Sequence, residues 1–160
     1  MADTHLFFVA DGERLEIQSW LLAATLAHAH QDRRDVHLYA YASADWLPQI
    51  GPVTQAIYRV AGVSLRPLPA PPKWAKPYPH GNKIVAATDW RGPGWSIFLD
   101  TDMVCLRDLT TLSALPDDHV AAAPEGRATW GPDERWERAY GHYDLPLPTT
   151  RVRLLRGDRP

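Results

Sequence analysis

Cysteine is almost missing from this chain of 160 residues: the single Cys105 excludes an internal disulfide framework, and a reducing compartment, the cytoplasm, is the simpler expectation. Long hydrophobic runs are missing as well. Leu6 to Ala10 is too short for a signal-peptide core or a membrane span, and no basic stretch precedes it, so the sequence predicts a soluble, unprocessed chain with no membrane span. Charge of one sign is lacking, with a formal net charge of -2. Nucleic-acid-binding domains usually carry a basic patch or stripe, and the only local basic excess here is Arg151 to Arg159, so no nucleic-acid partner is expected. Two glycine motifs are absent. Without Gly-x-Gly-x-x-Gly after the first apolar run there is no dinucleotide fingerprint. Gly81, Asn82 and Lys83 lack the glycine spacing and the hydroxyl residue of a phosphate loop.

What is present reads as alternating strands and helices. Leu6 to Ala10, ended by Asp11 and Gly12, is predicted as a buried strand. Apolar residues at Leu15, Ile17, Leu21, Leu22, Leu26 and Ala29 then recur at helical spacing, ending near His30. Val36 to Tyr41 reads as a second strand, Gln49 to Val60 as a helix with Pro52 in its first turn, and Val63 to Arg66 as a brief third strand. Pro67 to Pro79 is crowded with proline and reads as a loop or lid, or more plainly as a stiff connector. Asn82 to Trp90 looks helical, and Arg91 to Gly94 breaks it. Trp95 to Leu99 reads as a central strand, Val120 to Ala123 as a further strand and Asp133 to Tyr140 as a short helix. The expected fold class is α/β: a Rossmann-like, mostly parallel sheet with helices on both faces and a ligand site beyond the carboxyl ends of its strands.

Asp100 and Asp102 follow the apolar run ending at Leu99 with one residue between them, so in an extended chain both side chains leave the same side and can face one cation. Hard oxygen ligands suit Mg²⁺ or Mn²⁺, which typically use one or two carboxylates together with substrate phosphates. The plainer alternative is a solvated turn, or a cap for a helix near Asp108. The histidines carry less: His28 and His30 are poorly spaced to share a metal on a helix and suit its C-terminal dipole, while His80 and His142 read as solvated loop residues. Of the tryptophans, Trp74 and Trp130 lie in predicted loops and are the two nominated for ligand contact, with core packing as the alternative.

The stretch Asn82 to Ala87, followed by Ile97, Phe98, Leu99, Asp100, Thr101, Asp102, Met103, Val104, Cys105 and Leu106, resembles the donor site of GT-A glycosyltransferases, the nucleotide-diphospho-sugar transferase superfamily, and in particular family 8. Trp136 to Gly141 resembles the helix that follows in that family. The resemblance implies a UDP- or GDP-sugar as donor and Mn²⁺ or Mg²⁺ as cofactor. It implies that Asp102 binds the metal directly, that Asp100 binds the ribose or the metal through water, and that Val9, Ala10 and Asp11 hold the base and ribose. Lys83 would stand near the diphosphate, where an ammonium opposes phosphate charge; a helix-surface lysine is its alternative. The implied reaction is sugar transfer to an acceptor hydroxyl, which the sequence leaves unidentified, with the metal neutralising charge on the leaving group.

The resemblance covers only the N-terminal, donor-binding portion of such enzymes. Residues 1–145 form the expected nucleotide-sugar-binding domain and 146–160 a tail or connector, so the fold is expected to be incomplete at the C-terminus. A truncated, non-catalytic nucleotide-sugar-binding module is therefore an alternative, as is completion by an oligomer or a partner chain. Asp100, Thr101, Asp102, Met103 and Val104 also fit the nucleophile motif of haloacid-dehalogenase-like phosphatases, but several β-α units precede the motif and no lysine follows it.

Overall fold

Strand β1, Thr4–Val9, is buried along its whole length, which explains why Leu6 to Val9 are apolar without alternation. The computed structural model describes residues 2–70, 78, 80–114, 116, 120–122, 134–147 and 149. After β1 come α1 (Glu13–Ala29), β2 (Val36–Ala42), α2 (Pro52–Ala61), β3 (Val63–Pro67), α3 (Gly81–Ala87), β4 (Trp95–Phe98) and α4 (Glu134–His142), with short 3-10 turns at Leu47–Gln49 and Thr110–Ala114. The four strands form one parallel sheet in the order β3-β2-β1-β4. Thr4 pairs with Val36 on one side and with Trp95 on the other.

Side chains alternate across the sheet, so β1 feeds two cores. Leu6 and Phe8, with Leu38 and Ala40 of β2, pack against Leu22, Ala23 and Leu26 of α1 and Tyr58 of α2. Phe7 and Val9, with Tyr39 and Tyr41, face the other way and pack with Ala86 of α3. Each fully buried Leu or Phe contributes roughly 1.5–3 kcal/mol from loss of apolar surface to water. The α/β parallel sheet with helices on both faces is thus as the sequence predicts.

Several boundaries differ from expectation, each for a local reason. Helix α2 starts at Pro52, because Gln49 belongs to the preceding 3-10 turn and proline's missing N–H costs nothing at the first helical position. It ends at Gly62, whose φ of 69° is left-handed and lets β3 begin at the next residue. Helix α3 stops at Ala87 instead of Trp90, where the Arg91 guanidinium donates to the Ala86 carbonyl at 2.7 Å and the Ala87 carbonyl at 3.4 Å. Strand β4 lies at an edge of the described sheet, not at its centre. Residues 120–122 are not in a strand, and Ala123 lies outside the described residues.

The chain divides into two compact units, Met1–Leu115 and Pro116–Pro160. The first holds the sheet. In the second, α4 carries Trp136 and Tyr140 with ring centroids 6.3 Å apart, and its end is closed by Leu145 N–H donating to the Tyr140 carbonyl at 3.0 Å. Among the described residues no helix is long and apolar enough to cross a membrane.

Candidate functional site

The chain leaves β1, builds β2 and β3 to one side, and then crosses to the other side of β1 to form β4. In a parallel sheet, the place where successive crossovers part to opposite sides leaves a crevice beyond the strands' carboxyl ends, and ligands bind there. Here that crevice lies beyond β1 and β4. Asp11 stands two residues past the end of β1. Asp100 stands two past β4 and, since Phe7 pairs with Phe98 and Leu99 N–H still donates to the Phe7 carbonyl at 2.9 Å, it is level with Val9.

Two successive residues of α3 tie these acids down. Asn82 Nδ2 donates to Asp11 Oδ2 at 2.7 Å, and Lys83 Nζ is ion-paired with Asp100 Oδ1. Asp11 Oδ1 also accepts from the backbone N–H of Ser43 at 2.9 Å and from its hydroxyl at 2.6 Å. Asp11 therefore links the ends of β1 and β2 to α3. A carboxylate offers about four acceptor positions, so these three bonds leave roughly one for a ligand. Val9 and Ala10 are buried, and the Val9 side chain belongs to the core with Phe7. Of that strand end, Asp11 is the residue with a partly exposed side chain.

The chain does not run extended through the acidic pair. Met103 N–H donates to the Asp100 carbonyl at 3.1 Å, closing a turn over residues 100–103, so the same-side argument from an extended strand is corrected. Thr101 is buried in this turn, its hydroxyl 3.5 Å from Gln18 Oε1 of α1. Beyond the turn the chain follows α1: Cys105 N–H donates to Thr25 Oγ1 at 3.1 Å, and Leu109 N–H donates to His30 Nε2 at 3.0 Å. The acidic turn is thus held by a strap along the helix after β1. Asp102 is exposed and has no partner among the described residues.

His30, expected at the helix end as a dipole partner, does stand at the C-cap of α1 and is buried there. Its Nδ1–H donates to the Leu26 carbonyl at 2.8 Å, which leaves Nε2 as the acceptor for Leu109. Burial raises the thiol pKa of Cys105, which argues against a nucleophilic role. Trp74 and Trp130, nominated for ligand contact, lie outside the described residues. Ser43 is a candidate site residue that sequence reading missed, and Asn82 stood there only as the first residue of the donor-like stretch, with no role assigned. The available signal was positional, since Val9 pairs with Tyr41 and Ser43 therefore lies across from Asp11.

Among the described residues no group of three or more His, Cys, Asp and Glu side chains is placed to hold a metal. Among the described residues the crevice brings the carboxylates of Asp11 and Asp100 beside Asn82 and the ammonium of Lys83, and the exposed Asp102 follows two residues after Asp100. A parallel α/β sheet with helices on both faces and an acidic turn at its switch point defines a domain of the Rossmann-like class. The Rhodobacterales glycosyltransferase domain family matches residues 6–160, and the chain belongs to that family. No curated protein matches the chain, and no solved structure does. Membership makes glycosyl transfer the class of activity and a sugar donor the class of substrate, and it sets aside the phosphatase alternative.

Proposed function

We propose that the crevice beyond β1 and β4 binds a UDP- or GDP-sugar with Mn²⁺ or Mg²⁺, in the manner of a GT-A, family-8-like enzyme, and that the sugar passes to an acceptor hydroxyl. The observation that carries this reading is the pairing of Asn82 with Asp11 and of Lys83 with Asp100 across the switch point. Residues 1–145 then constitute the donor-binding domain, with 146–160 as its connector.

Asp102, with an exposed carboxylate, and Asp100, about two-fifths exposed, would hold a hard divalent cation through oxygen, with substrate phosphate and water supplying its other ligands. Charge supports the same reading: Asp11 and Asp100 beside the crevice repel a diphosphate unless a cation accompanies it. When bound, the metal supplies charge neutralisation on the leaving nucleoside diphosphate. This chain's residues do the rest. Asp102 and Asp100 fix the cation's position, Lys83 opposes the phosphate charge, and Asp11 uses its remaining acceptor position for a hydroxyl or N–H of the nucleoside while keeping Ser43 and Asn82 in place. Val9 and Ala10 shape the floor through their backbone.

Calorimetric titration with UDP and with GDP, each with and without Mn²⁺, tests the reading on the wild type and on Asp102→Ala. Metal-dependent binding that disappears in the variant supports a donor site. Binding to neither nucleotide, in either condition, sinks it.

A further inference from the structure

Lys83 holds Asp100 before any donor arrives. Its ammonium contacts Asp100 Oδ1, one of the two carboxylates proposed for the cation, while Asp102 stays unpartnered among the described residues. Both members of the pair are partly open to water, at 41% and 43% side-chain exposure, so the contact can exchange. The backbone beneath Lys83 is restrained, because its neighbour Asn82 is bonded to Asp11 and α3 packs on the sheet through Ala86. Movement is therefore left to the lysine side chain.

A divalent ion seated on Asp100 would lie within a few ångströms of that ammonium, and like charges at such separations repel appreciably even near water. A diphosphate changes the balance by giving Lys83 another anionic partner. Resting on the donor-site reading above, we propose that Lys83 is a counter-ion gate: it neutralises Asp100 in the empty crevice and moves to the diphosphate when donor binds, which frees Asp100 for the metal. Metal and nucleoside diphosphate then bind with positive coupling. By linkage each raises the other's affinity by the same factor, about tenfold or more within the usual range for coupled sites. Metal alone is held weakly, and the crevice does not keep a cation without its substrate.

The test is Mn²⁺ binding, read from the electron paramagnetic resonance signal of unbound Mn²⁺ with and without UDP or GDP, corrected for the Mn²⁺–nucleotide complex formed in solution. It compares wild type, Lys83→Met and Lys83→Arg. The gate predicts that Lys83→Met binds Mn²⁺ alone several-fold more tightly than wild type and loses most of the coupling, while Lys83→Arg keeps it. If Lys83→Met takes up Mn²⁺ with wild-type affinity and wild-type coupling, the gate is wrong and the donor site stands. If neither wild type nor variants retain Mn²⁺ with or without nucleotide, the donor-site reading falls and the gate with it.

Discussion

Glu16 offers the sharpest test of how the scaffold behind the site is held. It lies on α1 with 6% of its surface exposed, and its carboxylate accepts from Gly51 N–H at 2.9 Å and the Thr54 hydroxyl through Oε1, and from the Trp46 indole at 3.2 Å through Oε2. Gly51 precedes α2 and has no side chain to cap it, so Glu16 supplies the N-cap from a neighbouring helix. Thr54 in turn accepts from Trp20 Nε1 at 2.8 Å. Glu16→Ala removes an ionised acceptor from three donors. Hydrogen bonds to charged groups contribute about 1.5–3 kcal/mol each, but water can reach the partly exposed Gly51 and Trp46, so the expected net loss is about 3 kcal/mol. Glu16→Gln keeps one oxygen for Gly51 and Thr54 and turns its NH₂ toward the Trp46 N–H, losing about 1 kcal/mol. Urea unfolding followed by tryptophan fluorescence measures both, and the alanine variant should melt about 6–12 °C lower for a chain of this size. A glutamine variant as damaged as the alanine one, or an alanine variant within about 0.5 kcal/mol of wild type, refutes the capping argument.

Three further outcomes follow from the same geometry. Gly94→Ala places a Cβ 2.0 Å from the Asp3 carbonyl oxygen at a φ of 122°, where β4 meets the start of β1, and should cost about 3 kcal/mol or more in a chemical unfolding experiment; an unchanged midpoint contradicts the close approach. Asp11→Ala leaves Ser43 and Asn82 without their acceptor and should lower stability by about 2–3 kcal/mol while raising the apparent Kd for UDP or GDP, whereas lost binding at wild-type stability assigns Asp11 to ligand contact alone. Acid should weaken the fold in a defined window. The hydrogen bonds from Arg33 hold Asp35 down at about 2, so its folded state binds fewer protons than the unfolded chain. The stabilisation is complete above an ordinary carboxylate pKa of about 4 and is lost as pH falls toward about 2. Urea midpoints at descending pH should fall through that window, and less steeply in Arg33→Met; identical slopes rule out this pair as a cause.

Much of the scaffold was legible because it rests on local periodicity. The apolar run of β1 named a buried strand, and the recurrence from Leu15 to Ala29 named a helix but only part of its buried side: Leu22 and Leu26 are buried, whereas Ile17 and Leu21 are exposed and Glu16 and Ser19 are buried through their hydrogen bonds. Sheet order was not legible, since nothing local to Trp95 or Phe98 tells on which side of β1 that strand pairs; Gly94 and its approach to Asp3 matter only once the chain has crossed over. Helix ends failed where a side chain just beyond the helix takes its last carbonyls, as Arg91 does on α3. At the site, Asp11, Lys83 and Asp100 were picked from strand ends and a resemblance, and they lie around one crevice. The partner Ser43 was invisible because it depends on strand register, and the turn at Asp100 and the bond from Asn82 to Asp11 depend on the chain's path after β4 and on where α3 docks, none of which a linear reading contains.

The most direct test of the donor site is a nitrogen-15 correlation NMR titration of the wild type with UDP or GDP and Mg²⁺. The account predicts shifts concentrated at Val9 to Asp11, Ser43, Asn82, Lys83 and Asp100 to Met103, with Thr4, Val36 and Trp95 at the opposite ends of the strands unmoved. Shifts at those opposite ends, or none at saturating nucleotide, would contradict it.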